Sequence, residues 1–162
     1  MVMGRLLYAI EKEQCVIRLV GEIRFNVCQP LDEFIKRQQS MGRKIVFDLT
    51  QSDMLDSTAL GVIAQVAIAR RDAGLPPSAI LVSKPKIHKL LTSVCFDKVF
   101  DLIQVDQGVS GALSSLDEAI ENPNKDALKK SIREAHENLM RLSFENQLNF
   151  RNVLDALQMD NS

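Results

Sequence analysis

In the stretch LDSTALG, residues 55–61, one acid and two hydroxyls, Asp56, Ser57 and Thr58, stand between an apolar run, KIVFDLT, and a helix-forming run, VIAQVAIARR. Three chemistries suit a serine in that place. A nucleophile needs a base. The histidines are His88 and His136, both distant in sequence, and the residues around Ser57 do not form the Gly-x-Ser-x-Gly turn of a hydrolase. A helix N-cap needs only the hydroxyl, which accepts from the N–H groups of the first turn, and on local pattern alone this is the simplest reading. A phosphoacceptor uses the same unpaired N–H groups and the positive end of the helix macrodipole, so a phosphate is carried without unfolding. Phosphoserine adds about −1.5 to −2 charge, enough to reject a partner seated on an uncharged helix end. Thr58 is the second candidate acceptor.

The remaining chemistry-bearing residues form weaker patterns. Asp48, Asp53 and Asp56 lack the spacing of a calcium loop or of paired metal ligands, and Asp56 reads as part of the turn into the helix. Cys15, Cys28 and Cys95 are odd in number and scattered, which suits buried reduced thiols rather than a disulfide framework or a zinc site. Lys84, Lys86, His88 and Lys89 read as a solvated basic cluster beside a turn, and His136 as a surface residue of a charged helix. The glycines of GVSG, near residue 110, are not followed by the Lys-Ser/Thr of a phosphate cradle. No metal and no cofactor are expected.

The elements around Ser57 can be read from periodicity. LLYAI and CVIRLVGEI, split by the polar EKEQ, predict two neighbouring strands. Pro30 suits the first turn of a helix whose Leu31, Phe34 and Ile35 share a face and which stops at Gly42. KIVFDLT reads as a strand buried on both faces, near the middle of the sheet. The second helix is predicted over about residues 58–73, ending at Gly74, Pro76 and Pro77. Over residues 59–69 only Gln65 interrupts its apolar and small residues, a wider stripe than one sheet face requires. Either another protein covers part of it, or the helix is wedged between sheet and C-terminal arm.

AILVS predicts a further strand, Ile87, Leu90, Leu91 and Val94 a third helix, and VFDLIQV a last strand, which together make an α/β fold. The chain loosens around residues 106–115, and Ser115 with Glu118 suggests a capping box for a short helix. Asn122, Pro123 and Asn124 mark a boundary. Beyond it, about residues 126–159 are helix-forming, with Leu128, Ile132, Ala135, Leu139 and Leu142 on one seam that Asn146 and Asn149 then break. This arm either pairs with a second copy or a partner, or folds back on its own domain.

At 162 residues, with 46% apolar and 25% charged residues, the chain has ordinary globular usage and room for one domain with an appendage. A net charge of −1 gives no reason to expect nucleic acid or an anionic membrane as partner. The N-terminal MVMGRLLYAIEKEQ lacks the apolar core of a signal peptide, and no stretch reaches the ~20 apolar residues of a membrane span, so the cytoplasm is the expected location.

IVFDLTQSDMLDSTALGVIAQV resembles the signature of STAS domains, the family of bacterial anti-sigma factor antagonists. LVGEIRFNVCQPLDEFI and VSKPKIHKLLTSVCFDKVFDLIQV are similar to the family's segments before and after it. The likeness covers about residues 5–121 and departs from the commonest pattern at Ala59 and at Cys95–Phe96, where glycine and Gly-Leu are usual. It implies a STAS-like mixed sheet of four to five strands packed by helices, as domain 1–121, with a C-terminal helical extension, 122–162. It also implies a non-enzymatic switch. Ser57, in the motif Asp56, Ser57, Thr58, Ala59, Leu60 and Gly61, would be phosphorylated by a partner serine kinase, often itself an anti-sigma factor, and dephosphorylated by a PP2C-type phosphatase. The partner would bind the unphosphorylated form through Met54, Leu55, Asp56, Ser57, Thr58, Val62, Ile63 and Val66. Longer proteins of this kind occur in proteobacterial partner switching that controls stress, motility or biofilm formation. The arm could support a homodimer. The alternative is a STAS-like accessory subunit of a lipid or anion transport system, and a nucleotide or small-molecule sensor is a further analogy.

Overall fold

The computed structural model describes residues 4–116 and 125–142. It opens with an antiparallel hairpin of β1 (Arg5–Glu11) and β2 (Gln14–Ile23), whose alternating aliphatics place Ile17 and Leu19 fully inside. A single turn at Phe25–Val27 leads into α1 (Cys28–Ser40), which buries Leu31, Phe34 and Ile35 as their spacing requires. β3 (Lys44–Asp48) then runs parallel to β2. Next come β4 (Ser52–Leu55), α2 (Ser57–Asp72), β5 (Ala79–Val82), α3 (Pro85–Ser93) and β6 (Asp101–Gln104). A two-residue β7 (Ser114–Ser115) and α4 (Lys125–Leu142) complete the described elements.

The sheet order is β6-β5-β3-β2-β1-β7, with β4 pairing the end of β2 across a register shift at Gly21/Glu22. β5 and β6 join in parallel and β7 antiparallel to β1, so the sheet is mixed. Among the described residues it has seven strands, more than the four to five expected. SDML is too short for alternation to separate β4 from a loop, and Ser115, read as a helix cap, instead pairs with Leu7 as a strand residue. Glu118 and the proposed boundary at Asn122–Asn124 lie outside the described residues, as does the arm beyond Leu142.

α2 is enclosed on more than one side, with ten of its sixteen residues buried. Its neighbours are α1, β4 and, most extensively, α4. The wide apolar stripe therefore serves two faces of one molecule, and the described part of the arm folds back on its own domain. Leu139 and Leu142 of α4 join the core, each contributing roughly 2 kcal/mol through removal from water. Cys95 stands at φ 63°, in the left-handed region where a glycine is usual, so the turn before β6 is kept at a steric cost of roughly 1–2 kcal/mol.

One buried ion pair ties the sheet to the loop after β6. Asp48, fully buried, accepts from the Thr50 amide (3.0 Å), the Thr50 hydroxyl (2.6 Å), the Val109 amide (2.9 Å) and Arg18 Nε (3.0 Å). The Arg18 guanidinium also donates to the Val109 carbonyl. Gly108 is needed for this approach, since a Cβ there would lie 2.3 Å from Asp48 Oδ2. Burial alone would raise the Asp48 pKa, but the hydrogen bonds from Thr50, Val109 and Arg18 outweigh it and hold the carboxyl below its ordinary 3.8. The stability this confers is fully present above that ordinary value and is lost as pH falls through the lower folded one. Asp48→Asn is expected to lose roughly 2–4 kcal/mol at pH 7, since it strands a half-satisfied arginine. Urea unfolding at pH 7, 4 and 3 should show the variant converging on the wild type as acid removes the wild-type advantage.

Candidate functional site

Three segments meet at the start of α2. Asp56 has extended backbone (φ −82°, ψ 175°), and its Oδ1 accepts from the Ala59 amide at 2.8 Å, which makes Asp56 the N-cap. Its Oδ2 accepts from the Phe25 amide at 2.8 Å, and its own amide donates to the Ile23 carbonyl at 3.0 Å. One carboxylate thus clips the first turn of α2 to the chain between β2 and α1. Ser57 is the first helical residue and not the cap, so the simplest local reading of its hydroxyl is corrected: capping is done by its neighbour.

The Ser57 hydroxyl instead faces α4. Its Oγ lies 3.3 Å from His136 Nε2, the imidazole tautomer deciding which group donates. His136 is half-buried at this contact rather than a surface residue, which corrects the sequence reading. Burial pushes its pKa below the ordinary 6.5, while the Asp56 carboxylate pulls the other way, so the ring is neutral at pH 7. A serine, an imidazole and an acid are close together, yet both oxygens of the acid are engaged by backbone amides. What the arrangement offers is a hydroxyl at the positive end of a sixteen-residue helix, roofed by a neutral imidazole.

The roof fits closely. A Cβ built on Gly61 would lie 2.1 Å from the Ala135 carbonyl oxygen, so only glycine lets the α4 backbone approach α2 this far. Asn138 Nδ2 donates to the Gly61 carbonyl at 3.5 Å. Arg71 donates to the Arg141 and Leu142 carbonyls of α4.

The STAS domain family matches residues 7–112, well over half of the chain. The chain belongs to the STAS-domain family. Among solved structures, the anti-sigma factor antagonist SpoIIAA in its unphosphorylated form is similar, with a TM-score of 0.52 and 18% identity over 62% of this chain and 88% of that one. That likeness is one of fold. No curated protein matches the chain.

In this STAS domain the residues singled out from the sequence divide into two sets. Asp56, Ser57 and Met54 are partly exposed around the helix start, whereas Leu55, Thr58, Ala59, Leu60 and Gly61 are buried. Val62, Ile63 and Val66, expected on a partner surface, are 1%, 0% and 1% exposed and present none in this arrangement. Thr58, at 5%, is likewise shut away as an acceptor. Phe25, which the sequence reading missed, is 46% exposed and adjoins Asp56 through its amide. An exposed phenylalanine beside a motif strand was the available signal.

Lys84 of the basic cluster is not simply solvated, since its Nζ donates to Asp53 Oδ1 (2.6 Å) and to the Ser52 carbonyl (3.2 Å), tying the start of α3 to β4. Cys15, Cys28 and Cys95 are buried thiols, with burial pushing the Cys15 thiol up to about 11 and the Cys28 thiol higher still. Among the described residues no cluster has the makings of a metal site, and no helix is long and apolar enough to cross a membrane.

The stability that goes with keeping the His136 ring neutral is present in full above pH 6.5 and is lost as pH falls from there through the lower folded value of the ring. NMR titration of the His136 ring protons should give a midpoint below 6.5, moving toward that value in His136-containing chain unfolded by urea. A midpoint at or above it in the folded protein would remove the buried, neutral ring from this description.

Proposed function

We propose that this protein is a phosphorylation-controlled anti-sigma factor antagonist. Unphosphorylated, it binds a partner regulator, an anti-sigma factor or serine kinase, through the start of α2. Phosphate on Ser57 releases that partner, and a PP2C-type phosphatase restores binding. The reading is non-enzymatic, cytoplasmic and of the bacterial partner-switching kind, with a stress, motility or biofilm output.

The observation that carries it is the division of labour between Asp56 and Ser57. Because Asp56 supplies the cap, the Ser57 hydroxyl can be modified without uncapping α2. Its position in the first turn places an added phosphate among unpaired N–H groups, where negative charge is favourable by about 0.3–1 kcal/mol at an exposed site. The exposed Phe25 and the half-exposed Met54 supply apolar surface beside it.

Peptide mass spectrometry on protein from its native cells, with and without PP2C-type phosphatase, should find one removable phosphate on Ser57. In pull-downs from the same cells, Ser57→Ala should retain partner constitutively and Ser57→Asp should lose it, each folding with an unchanged circular dichroism spectrum. No phosphate on Ser57 under any growth condition, or equal pull-downs, would count against the switch.

A further inference from the structure

The face of α2 that starts at Ser57 is already occupied, and by a helix of the same chain. α4 packs on α2 and α1 and takes no part in the sheet. Its fit is specific in shape: Ala135 lies against Gly61, Asn138 reaches the Gly61 carbonyl, and His136 roofs Ser57. Its hold is thin. Of its eighteen described residues only Ala135, Leu139 and Leu142 are buried, with Met140 packed against the core, and the Ser131 hydroxyl is buried without a hydrogen-bond partner. The ion pairs that pin it, Lys36–Glu134 (3.6 Å) and Arg141–Asp72 (3.6 Å), join side chains that are each two-fifths or more exposed, where such pairs are weak.

A helix seated this specifically and held this lightly is suited to exchange. Anything approaching Ser57 from the side of α4 meets His136 first. We propose that α4 is a displaceable clasp on the α2 face. In this scheme a partner presents an amphipathic helix with a small residue opposite Gly61, and it takes the place of α4 to reach Ser57. The face then has two competing occupants, one tethered and one free. The tethered one lowers the partner's apparent affinity by the fraction of molecules in which the clasp is shut.

The identity of the displacing helix rests on the partner surface proposed above, but the clasp can be tested without a partner. The probe is a fluorescent synthetic peptide of residues 125–142, titrated by anisotropy into the full chain and into full-chain Leu139→Asp and Ala135→Leu. Both substitutions are on α4 and leave the α2 face intact. The variants are expected to take up the peptide at least about tenfold more tightly than the wild type. Hydrogen exchange should show α4 amides unprotected in both, while β2 and β3 stay protected.

Loss of β2 and β3 protection together with α4 in both variants would make α4 part of the indivisible core and overturn the clasp. So would equal uptake by wild type and variants, or no uptake by an undocked variant with its sheet intact. A Ser57 that is never phosphorylated would leave all these readings unchanged, so failure of the switch and failure of the clasp are separately visible.

Discussion

The carboxylate of Asp56 is the interaction on which the site depends. With one oxygen on the Ala59 amide and the other on the Phe25 amide, it starts α2, fixes the direction in which α2 leaves β4, and anchors that point to the chain after β2. A serine in its place could satisfy one amide but not both, and an alanine neither, at a cost of about 0.5–2 kcal/mol for the cap alone. Because Asp56 does this, Ser57 has no structural duty at the helix start. A group without such a duty can change its charge while the fold persists.

The second constraint is the crowding of α2. Gly61 permits backbone contact with α4 on one side, while Ile63 and its neighbours fill the core on others. A helix enclosed in this way transmits a change at its first turn mainly through what lies on it, because its own buried side chains have no free volume in which to rearrange. His136 is the residue through which α4 meets Ser57, and as a neutral half-buried ring it is sensitive both to protonation and to a new neighbouring charge. A separate hub, Asp48 with Arg18, Thr50 and Val109, ties the central strands β2 and β3 to the loop after β6.

Most of the fold was legible because its elements are locally encoded. β1, β2, β3, β5 and β6 follow aliphatic runs, and α1 and α3 follow single apolar faces, so period and turn residues suffice. β4 was not legible, since four residues carry too little alternation. The cap was misread for a related reason: Asp56 and Ser57 are equally good capping residues, and only the extended backbone of Asp56 decides between them.

His136 was misread because its partner lies 79 residues away, and a helix with charges on most sides gives no sign of which polar residue turns inward. The wide stripe of α2 did announce two covered faces, but composition could not say whether the second cover was a partner or the chain itself. Asp48, weighed beside Asp53 and Asp56 as a metal candidate, proved to be a hub for three separate segments that no local motif connects.

In the unmodified protein α4 lies on α2 directly over Ser57. Nuclear Overhauser spectroscopy on the uniformly labelled full chain tests it directly. Cross-peaks are expected between the Ala135 methyl and the Gly61 α-protons, and between the His136 ring and the Ser57 β-protons. Their absence, with the α2 and α4 chemical shifts still helical and the sheet intact, would contradict it.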